Sequence, residues 1–215
     1  MIKVALPEHL DLVGRILQSG AVEGSWDPAL REPGPFLDSL LAKIRCSLVD
    51  GFVRQIDPRI GKEIEIRIAG YVYCTAPGTP PIGFGLFKDF SPSGFELWLS
   101  GIDESWRGKG FGKALFTEIL ATPLGNRTEL ARCALASESA RRASHILKMN
   151  GFATCRTTAS EELLLHSRTP TVVAQTFMRM GMPSFKTAPA HRRPASRNDR
   201  LLSISGHCNA CLLSE

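Results

Sequence analysis

Residues 95–120 read FELWLSGIDESWRGKGFGKALFTEIL and contain a strand, a glycine-rich turn and a helix in that order. Glu96 and Ser100 are the only polar residues of 95–102, a pattern typical of a strand buried on both faces. From Phe111 onward, apolar residues recur at the spacing of one helix face. The first amides of a helix have no partner within it and carry the positive end of its dipole, so this order predicts an anion-binding turn.

Glycine and basic residues in the turn favour the same interpretation. Glycine removes the Cβ atoms that would keep a phosphate away from the backbone amides, and the basic side chains add charge. A tight turn with solvated basic residues is the alternative, and it remains open on glycine count alone. The candidate anion-binding residues are Arg107, Gly108, Lys109, Gly110, Phe111, Gly112 and Lys113.

Two other phosphate-binding loops do not fit this turn. A Walker A loop requires Ser or Thr after its Gly-Lys pair, whereas Ala114 follows Lys113 here. A dinucleotide-binding fingerprint requires G-x-G-x-x-G near the start of a strand–helix–strand unit. The glycines here alternate strictly, at 108, 110 and 112, which excludes that spacing.

The signature Arg/Gln-x-x-Gly-x-Gly/Ala does fit, with Arg107, Gly110 and Gly112 in register. The longer phrase IDESWRGKGFGKALF, residues 102–116, resembles the acyl-CoA-binding segment of the GNAT N-acetyltransferase superfamily. About 40 residues further on, a predicted helix ends in Met-Asn-Gly-Phe at 149–152, which is similar to the second signature of that superfamily. The resemblance spans roughly residues 1–168.

The resemblance implies an α/β (α+β) fold: a GNAT-like mixed, mostly antiparallel sheet with one parallel strand–helix–strand unit and helices on both faces. The residue patterns agree with this expectation. They predict strands at 2–6, 63–74, 81–87, 95–102, 130–135, 152–157 and 162–166. They predict helices at 7–18, 36–49, 139–148 and from residue 111 onward.

The resemblance also implies a cofactor, acetyl-CoA, and the backbone that holds it. The pantetheine arm is expected to pair like an extra strand with Leu99, Ser100, Gly101 and Ile102. Trp26 and Asp27 lie in the loop region where this fold builds its acceptor pocket, so they are candidate substrate contacts. The alternative for Trp26 is an ordinary loop tryptophan that covers the core.

Acetyl transfer to an amine benefits from a base, and Glu96 is the candidate because it lies on a buried strand between apolar neighbours. The alternative is an exposed glutamate at the strand end with no role. Many GNAT enzymes have a tyrosine acid where this chain has Leu147. Ser139, Ser144 and His145 are possible substitutes, and departure of the thiolate without a dedicated acid is the other possibility.

Charge and cysteine usage suggest a cytoplasmic protein with a basic tail. The formal charge is +5, of which +4 falls from residue 169 onward. We expect 169–182 to be a short packing segment and 183–215 a basic, Pro-rich, disordered tail. The six cysteines lie mostly in apolar runs, as reduced buried thiols do, and Cys208 and Cys211 lack the further pair that a zinc site needs, so no metal is predicted.

The sequence thus predicts a cytoplasmic acyltransferase that moves an acetyl group from acetyl-CoA to a primary amine of a small molecule or a protein. A homodimer is possible, no membrane contact is expected, and nucleic acid is the less favoured partner. Two alternatives stay open: a non-catalytic acyl-CoA-binding protein, and a protein that binds nucleic acid or a partner protein through its basic tail.

Overall fold

The computed structural model describes residues 1–57, 61–89, 94–135 and 137–166. Nine strands and four α-helices occupy them, with short 3-10 turns between. The strands are β1 (Ile2–Val4), β2 (Val53–Asp57), β3 (Lys62–Ile66), β4 (Ile68–Cys74), β5 (Pro81–Asp89), β6 (Phe95–Ile102), β7 (Thr128–Ala134), β8 (Phe152–Thr157) and β9 (Glu161–His166). The helices are α1 (Leu10–Val22), α2 (Pro35–Asp50), α3 (Phe111–Leu120) and α4 (Glu138–Met149).

Seven strands form one sheet in the order β1-β4-β5-β6-β7-β9-β8. Strands β6 and β7 are parallel and joined through α3, whereas the other neighbouring pairs of this sheet are antiparallel. The predicted fold class is therefore confirmed, including its one parallel strand–helix–strand unit. Strand β9 lies between β7 and β8, so β8 joins the sheet through β9.

The predicted strand at 63–74 is wrong as a single element. Residues 62–66 form β3, which pairs with β2 in a separate two-stranded hairpin, and only β4 belongs to the main sheet. The alternation of Ile64, Ile66 and Ile68 with polar residues continues through the break, so period-2 patterning could not reveal it. The first helix also extends past the predicted end at Gln18, because Gly20 and Ala21 are small enough to be buried against the core.

The two faces of the main sheet carry different helices. One hydrophobic cluster joins α1 and α2 to the sheet, with Ile16 and Ile44 packing near Phe84 and Leu99. The second cluster contains residues of α3 and α4 together with Leu97 and other sheet residues. Because successive side chains of a strand point to opposite faces, a central strand such as β6 has to be apolar on both sides. This explains the nearly unbroken apolar run of 95–102.

Strands β6 and β7 pair over only three residues and then part. The paired positions are Phe95–Thr128, Glu96–Leu130 and Leu97–Ala131. The register between β5 and β6 shifts at the same level, from Leu86–Leu99 to Phe87–Leu97, so Trp98 is the extra residue of a β-bulge. A bulge bends its strand and increases the local twist. Beyond the three paired positions, the described sheet is open between the second half of β6 and the end of β7.

The expectation of buried thiols is wrong for two of the four described cysteines, all of which are unpaired. Cys74 and Cys133 are buried, but Cys46 is exposed on α2 and Cys155 is partly exposed on β8. Burial raises the pKa of the Cys133 thiol to about 12, the nearby Glu162 charge adds to the rise, and Lys148 opposes it.

A buried serine on α2 completes the hydrogen bonding of the sheet. The Ser47 hydroxyl donates to the Ile68 carbonyl oxygen at 3.0 Å and accepts from the Ile68 N–H at 2.6 Å. Ile68 is the first residue of β4, and Ser47 is only 3% exposed, so neither water nor another strand replaces this contact. One side chain therefore fastens α2 to the sheet.

We expect Ser47→Ala to lower the free energy of unfolding by about 1–3 kcal/mol, because it leaves the N–H and C=O of Ile68 buried without their partner. Urea unfolding followed by circular dichroism measures the change. Ser39→Ala, at a partly exposed position of the same helix, is the control and should change stability by less than about 0.5 kcal/mol. Equal effects of the two substitutions would contradict this account of Ser47.

Candidate functional site

The turn before α3 has an open backbone. Gly108 and Gly110 adopt positive φ angles of 75° and 84°, which side chains other than glycine rarely adopt. A Cβ atom built on Gly108, Gly110 or Gly112 would meet no heavy atom within 4 Å. These glycines are therefore not required for packing against the protein, and a ligand could approach the backbone at each of them.

The amino end of α3 provides unpaired donors at the same place. Gly110 is the N-cap residue and has no side chain to accept from the helix, and Ala114 is the first residue whose N–H reaches the Gly110 carbonyl. In the described part of the chain, the N–H groups of residues 110–113 donate no hydrogen bond. Unpaired donors at the positive end of a helix dipole favour a negatively charged ligand, so anion binding at this turn stays the prediction.

Two of the three basic residues in the turn make contacts with the protein. The Arg107 guanidinium donates to the Ile102 carbonyl oxygen at 2.9 Å and to Ser19 Oγ at 3.2 Å, and it forms an ion pair with Glu23. Lys109 Nζ donates to the Ser105 carbonyl oxygen at 2.9 Å and lies 5.0 Å from the Trp106 ring centre. Lys109 is nevertheless exposed, and a role for Arg107 or Lys109 in adding charge at an anion site stays a prediction. Lys113 is exposed on the first turn of α3.

Arg107 instead fixes the position of the turn. Its guanidinium joins the last residue of β6 to the end of α1, 84 to 88 residues away in the chain. Sequence analysis missed this role because no local pattern indicates which distant residue an arginine will contact. The amides that follow Arg107 are thereby held next to the opening between β6 and β7.

The segment after α1 spans this opening. Glu23 pairs with Arg107 after β6, and its other carboxylate oxygen accepts a hydrogen bond from Ser139 Oγ on α4 at 3.2 Å. Ser25 Oγ lies 2.5 Å from Ser137 Oγ, the N-cap hydroxyl of α4. Residues 23–25 thus contact the elements that follow each of the two parted strands.

The predicted pantetheine-binding residues lie on one side of the opening. Leu99, Ser100, Gly101 and Ile102 belong to β6 and pair with β5, but their register includes no residue of β7. Their outer edge is therefore free of a strand partner within the described structure. A Cβ on Gly101 would come within 2.6 Å of the Ile16 side chain, so this glycine is required by the packing of α1 on β6.

Glu96 lies near the point where β6 and β7 part, and its side chain is 4% exposed. The prediction that it is buried is confirmed, but the sequence did not reveal its neighbours. Arg132 Nε on β7 donates to Glu96 Oε1 at 3.1 Å, and Lys88 Nζ on β5 lies 3.8 Å from Oε2. The carboxylate is thus held by two basic side chains rather than by apolar residues alone.

The two candidate substrate residues have structural contacts of their own. The Trp26 ring packs against the core around α1 and lies so close to Gly20 that a Cβ there would be 2.4 Å from it. Asp27 caps the 3-10 turn Pro28–Leu30 by accepting from the Ala29 N–H at 2.8 Å. Burial raises the pKa of the Asp27 carboxyl, and the Ala29 hydrogen bond partly offsets the rise. Substrate contact by either residue stays a prediction.

Leu147 and the three residues that could replace the missing acid lie in different environments. Leu147 is 1% exposed and is part of the core. Ser139 is engaged with Glu23, and His145 is exposed on the outer face of the helix. The Ser144 hydroxyl is buried and donates to the Glu162 carboxylate.

Glu162 is the centre of a buried polar network beneath α4. Burial would raise the pKa of its carboxyl, but hydrogen bonds from Lys148, Ser144 and Thr154, together with the Lys148 charge, hold it below its ordinary value. Lys148 Nζ lies 2.7 Å from Glu162 Oε1. This network joins α4 to β8 and β9 and explains why a buried serine occupies position 144.

The predictions for the end of the chain lie outside the described residues. These are the packing segment 169–182, the basic tail 183–215 and the pair Cys208 and Cys211. Within the described residues, no helix is both long and apolar enough to span a bilayer.

We expect Arg107 and Glu23 to be energetically coupled, because their side chains are only 23% and 35% exposed and Arg107 also bonds Ser19 and Ile102. A double-mutant cycle with Arg107→Met and Glu23→Gln should give a coupling free energy of about 1 kcal/mol or more in urea unfolding. The control cycle uses the pair Arg142 and Glu138, which are 68% and 69% exposed, and should give about 0.5 kcal/mol or less. Equal coupling in both cycles would show that Arg107 does not fix the turn.

Comparisons with known proteins give structural matches only, since no family model and no curated protein matches the sequence. A candidate phosphinothricin N-acetyltransferase matches with a TM-score of 0.51 at 18% identity, covering 77% of this chain and 96% of that chain. YncA from Salmonella typhimurium, a candidate acetyltransferase with its cofactor acetyl-CoA, matches with a TM-score of 0.50 at 13% identity, covering 78% and 93%. A candidate acetyltransferase from Acinetobacter baylyi gives 0.51 at 15% identity, covering 80% and 94%. The chain therefore has the GNAT fold of N-acetyltransferases.

Proposed function

We propose that this protein is an N-acetyltransferase that transfers an acetyl group from acetyl-CoA to a primary amine. The observation that carries the proposal is the row of unpaired amides at residues 110–113 beside the opening between β6 and β7. An anion site next to a strand edge suits a ligand that has both a diphosphate and an extended amide-containing arm. Coenzyme A combines these two features.

The residues of the turn fit the diphosphate. Phosphate oxygens would accept from the α3 amides, and the absence of Cβ atoms at Gly108, Gly110 and Gly112 leaves room for them. Lys113, exposed on the same turn of α3, would add one charge-assisted contact, worth about 1.5–3 kcal/mol. Arg107 would contribute indirectly, because its contacts with the protein hold the turn in place.

The free edge of β6 suits the pantetheine arm of coenzyme A. The backbone of residues 99–102 would pair with the amides of the pantetheine as a neighbouring strand would. Bound acetyl-CoA would supply the activated thioester from which the acetyl group is taken. The amides near Leu99, Ser100 and Gly101 are the donors available to stabilise negative charge on the thioester oxygen.

Glu96 would remove the proton from the acceptor amine. An amine with a pKa near 10.4 is almost fully protonated at neutral pH, so a base near the opening lowers the barrier to attack. The lack of an acidic side chain at Leu147 does not prevent transfer, since a thiol of pKa near 8.5 is a good leaving group without a dedicated acid. Trp26 and Asp27 remain the proposed acceptor contacts, and the acceptor is a small molecule or a protein.

We propose the domain organisation that the sequence suggests. The acetyltransferase domain would occupy residues 1–168, followed by the packing segment and the basic tail, in a cytoplasmic protein. A non-catalytic acyl-CoA-binding role is favoured by one observation, the buried Leu147 where related enzymes have an acid. Binding of acetyl-CoA without transfer to any amine would select that role.

Acetyl-CoA binding can be tested with two glycines that differ only in location. Gly110 and Gly51 have φ angles of 84° and 85°, and neither would meet a heavy atom within 4 Å if it carried a Cβ. We expect Gly110→Ala to weaken binding of acetyl-CoA at least about tenfold in calorimetric titration, because the new methyl lies at the anion site. Gly51→Ala, at the end of α2, should cost similar stability but leave the affinity unchanged. Equal affinities for the two variants would contradict the proposed site.

The role of Glu96 can be tested by Glu96→Gln. We expect a decrease in kcat of about 10²–10⁴, as for the loss of a general base, with acetyl-CoA affinity changed less than about twofold. Thiol release measured over a panel of amines gives kcat, and calorimetry gives the affinity. An unchanged kcat at saturating amine would show that the proton leaves by another route.

A further inference from the structure

Residues 23–25, which follow α1, contact both sides of the opening between β6 and β7, and we call them the clasp. Glu23 makes the first contact on each side. One of its carboxylate oxygens pairs with Arg107, after β6, and the other accepts a hydrogen bond from Ser139 Oγ on α4, after β7, at 3.2 Å. One side chain therefore spans the place beyond the last paired position of the two strands.

Two serine hydroxyls make the second contact between the clasp and α4. Ser25 Oγ lies 2.5 Å from Ser137 Oγ. Ser137 is 2% exposed and is the N-cap residue of α4, where its hydroxyl also accepts from the Ala140 N–H at 3.3 Å. Because this contact is partly shielded from water, it joins the clasp to the first turn of α4 more firmly than an exposed hydrogen bond would.

The backbone of the clasp is fixed by the end of α1. Its three N–H groups donate to the carbonyl oxygens of residues 19–21 at 2.7–3.2 Å. Gly24 has a φ of 79°, the left-handed conformation that commonly ends a helix. The next residue, Trp26, packs against the core around α1. The clasp is therefore an extension of α1, and it joins α4 to the end of β6 through an ordered element.

We propose that the clasp sets the width of the opening for the pantetheine arm of acetyl-CoA, with Glu23 as its positioning residue. The inference rests on the proposed function, in which the arm pairs with the edge of 99–102. Neighbouring strands lie about 4.8 Å apart, so an arm between β6 and β7 needs these strands roughly twice that distance apart. A site that already has this width in the free protein loses less conformational entropy when the arm binds.

The contacts of the clasp distinguish it from a lid. Lids are drawn from weakly held segments, because they have to leave before a ligand can enter. Moving residues 23–25 away would break their hydrogen bonds to α1, the Arg107 ion pair and the contacts with α4. We therefore expect the cofactor to bind while the clasp stays in place, so that a covalent crosslink across it leaves binding intact.

The test uses one protein in two redox states. The variant carries Glu23→Ala, which removes the carboxylate contacts, together with Ser25→Cys and Ser137→Cys. The two hydroxyl oxygens lie 2.5 Å apart, near the sulfur–sulfur distance of about 2.05 Å in a disulfide. In calorimetric titration, the reduced protein should bind acetyl-CoA about tenfold more weakly than wild type, and oxidation should bring the affinity back to within about threefold. Both states lack the serine cap of α4, so its loss cancels in the comparison.

A second crosslink controls for stability. Thr75 and Thr79 have hydroxyl oxygens 3.3 Å apart in an exposed turn away from the clasp. Glu23→Ala combined with Thr75→Cys and Thr79→Cys should bind acetyl-CoA equally in both redox states. Wild type treated in the same way controls for native thiols such as the exposed Cys46. Recovery of affinity through the control crosslink would overturn the role of the clasp.

Two single substitutions test the same role without a crosslink. Glu23→Gln keeps a side-chain oxygen and the length of the side chain, so it should bind acetyl-CoA within about threefold of wild type. Glu23→Ala alone should bind it several-fold more weakly. Equal affinities of Glu23→Ala and wild type would contradict the positioning role, whether or not the disulfide forms.

The outcomes separate this inference from the function on which it rests. If wild type and the reduced triple variant bind acetyl-CoA equally well, the clasp has no positioning role and the cofactor site stands. If oxidation abolishes binding, residues 23–25 act as a lid and the proposal is overturned. If wild type itself does not bind acetyl-CoA, the proposed function fails, and the positioning role of Glu23 fails with it.

Discussion

The short pairing between β6 and β7 is the constraint on which the rest of the structure depends. Two parallel strands that pair over three positions and then separate leave backbone groups on the outer edge of residues 99–102 without a strand partner in the described part of the chain. Burying such groups without partners would be unfavourable, so the opening is suited to a ligand with amides of its own. The bulge at Trp98 lies at the level of the separation, and the α3 amides, Glu96 and the segment 23–25 all lie around it.

Two kinds of basic residue act at this opening. Arg107 and Arg132 are turned toward the protein, where each pairs with a carboxylate and fixes a nearby element. In the proposed site, the anion would be bound instead by the α3 backbone amides and the exposed Lys113. This division is physically reasonable, because backbone donors are held in place by the helix, whereas a long flexible side chain loses entropy on binding.

The sequence was sufficient for the parts of the molecule in which local pattern and tertiary structure agree. Strand β6 and the start of α3 follow from an apolar run and a helical repeat that no neighbouring element contradicts. The hairpin of β2 and β3 could not be predicted, since its alternation runs into that of β4. The partners of Glu96 and Arg107 were also beyond reach, because contacts between residues 36 and 84 positions apart depend on the strand order and not on spacing.

The position of β9 inside the sheet has a consequence for how the protein is made. Strand β8 is synthesised before β9 but reaches the sheet through it, so β8 has no strand to pair with until residues 161–166 have left the ribosome. During that interval, Phe152 and the apolar face of α4 lack part of the core that packs against them in the folded protein. The second core is therefore completed last, after the α1 and α2 side has all of its strands.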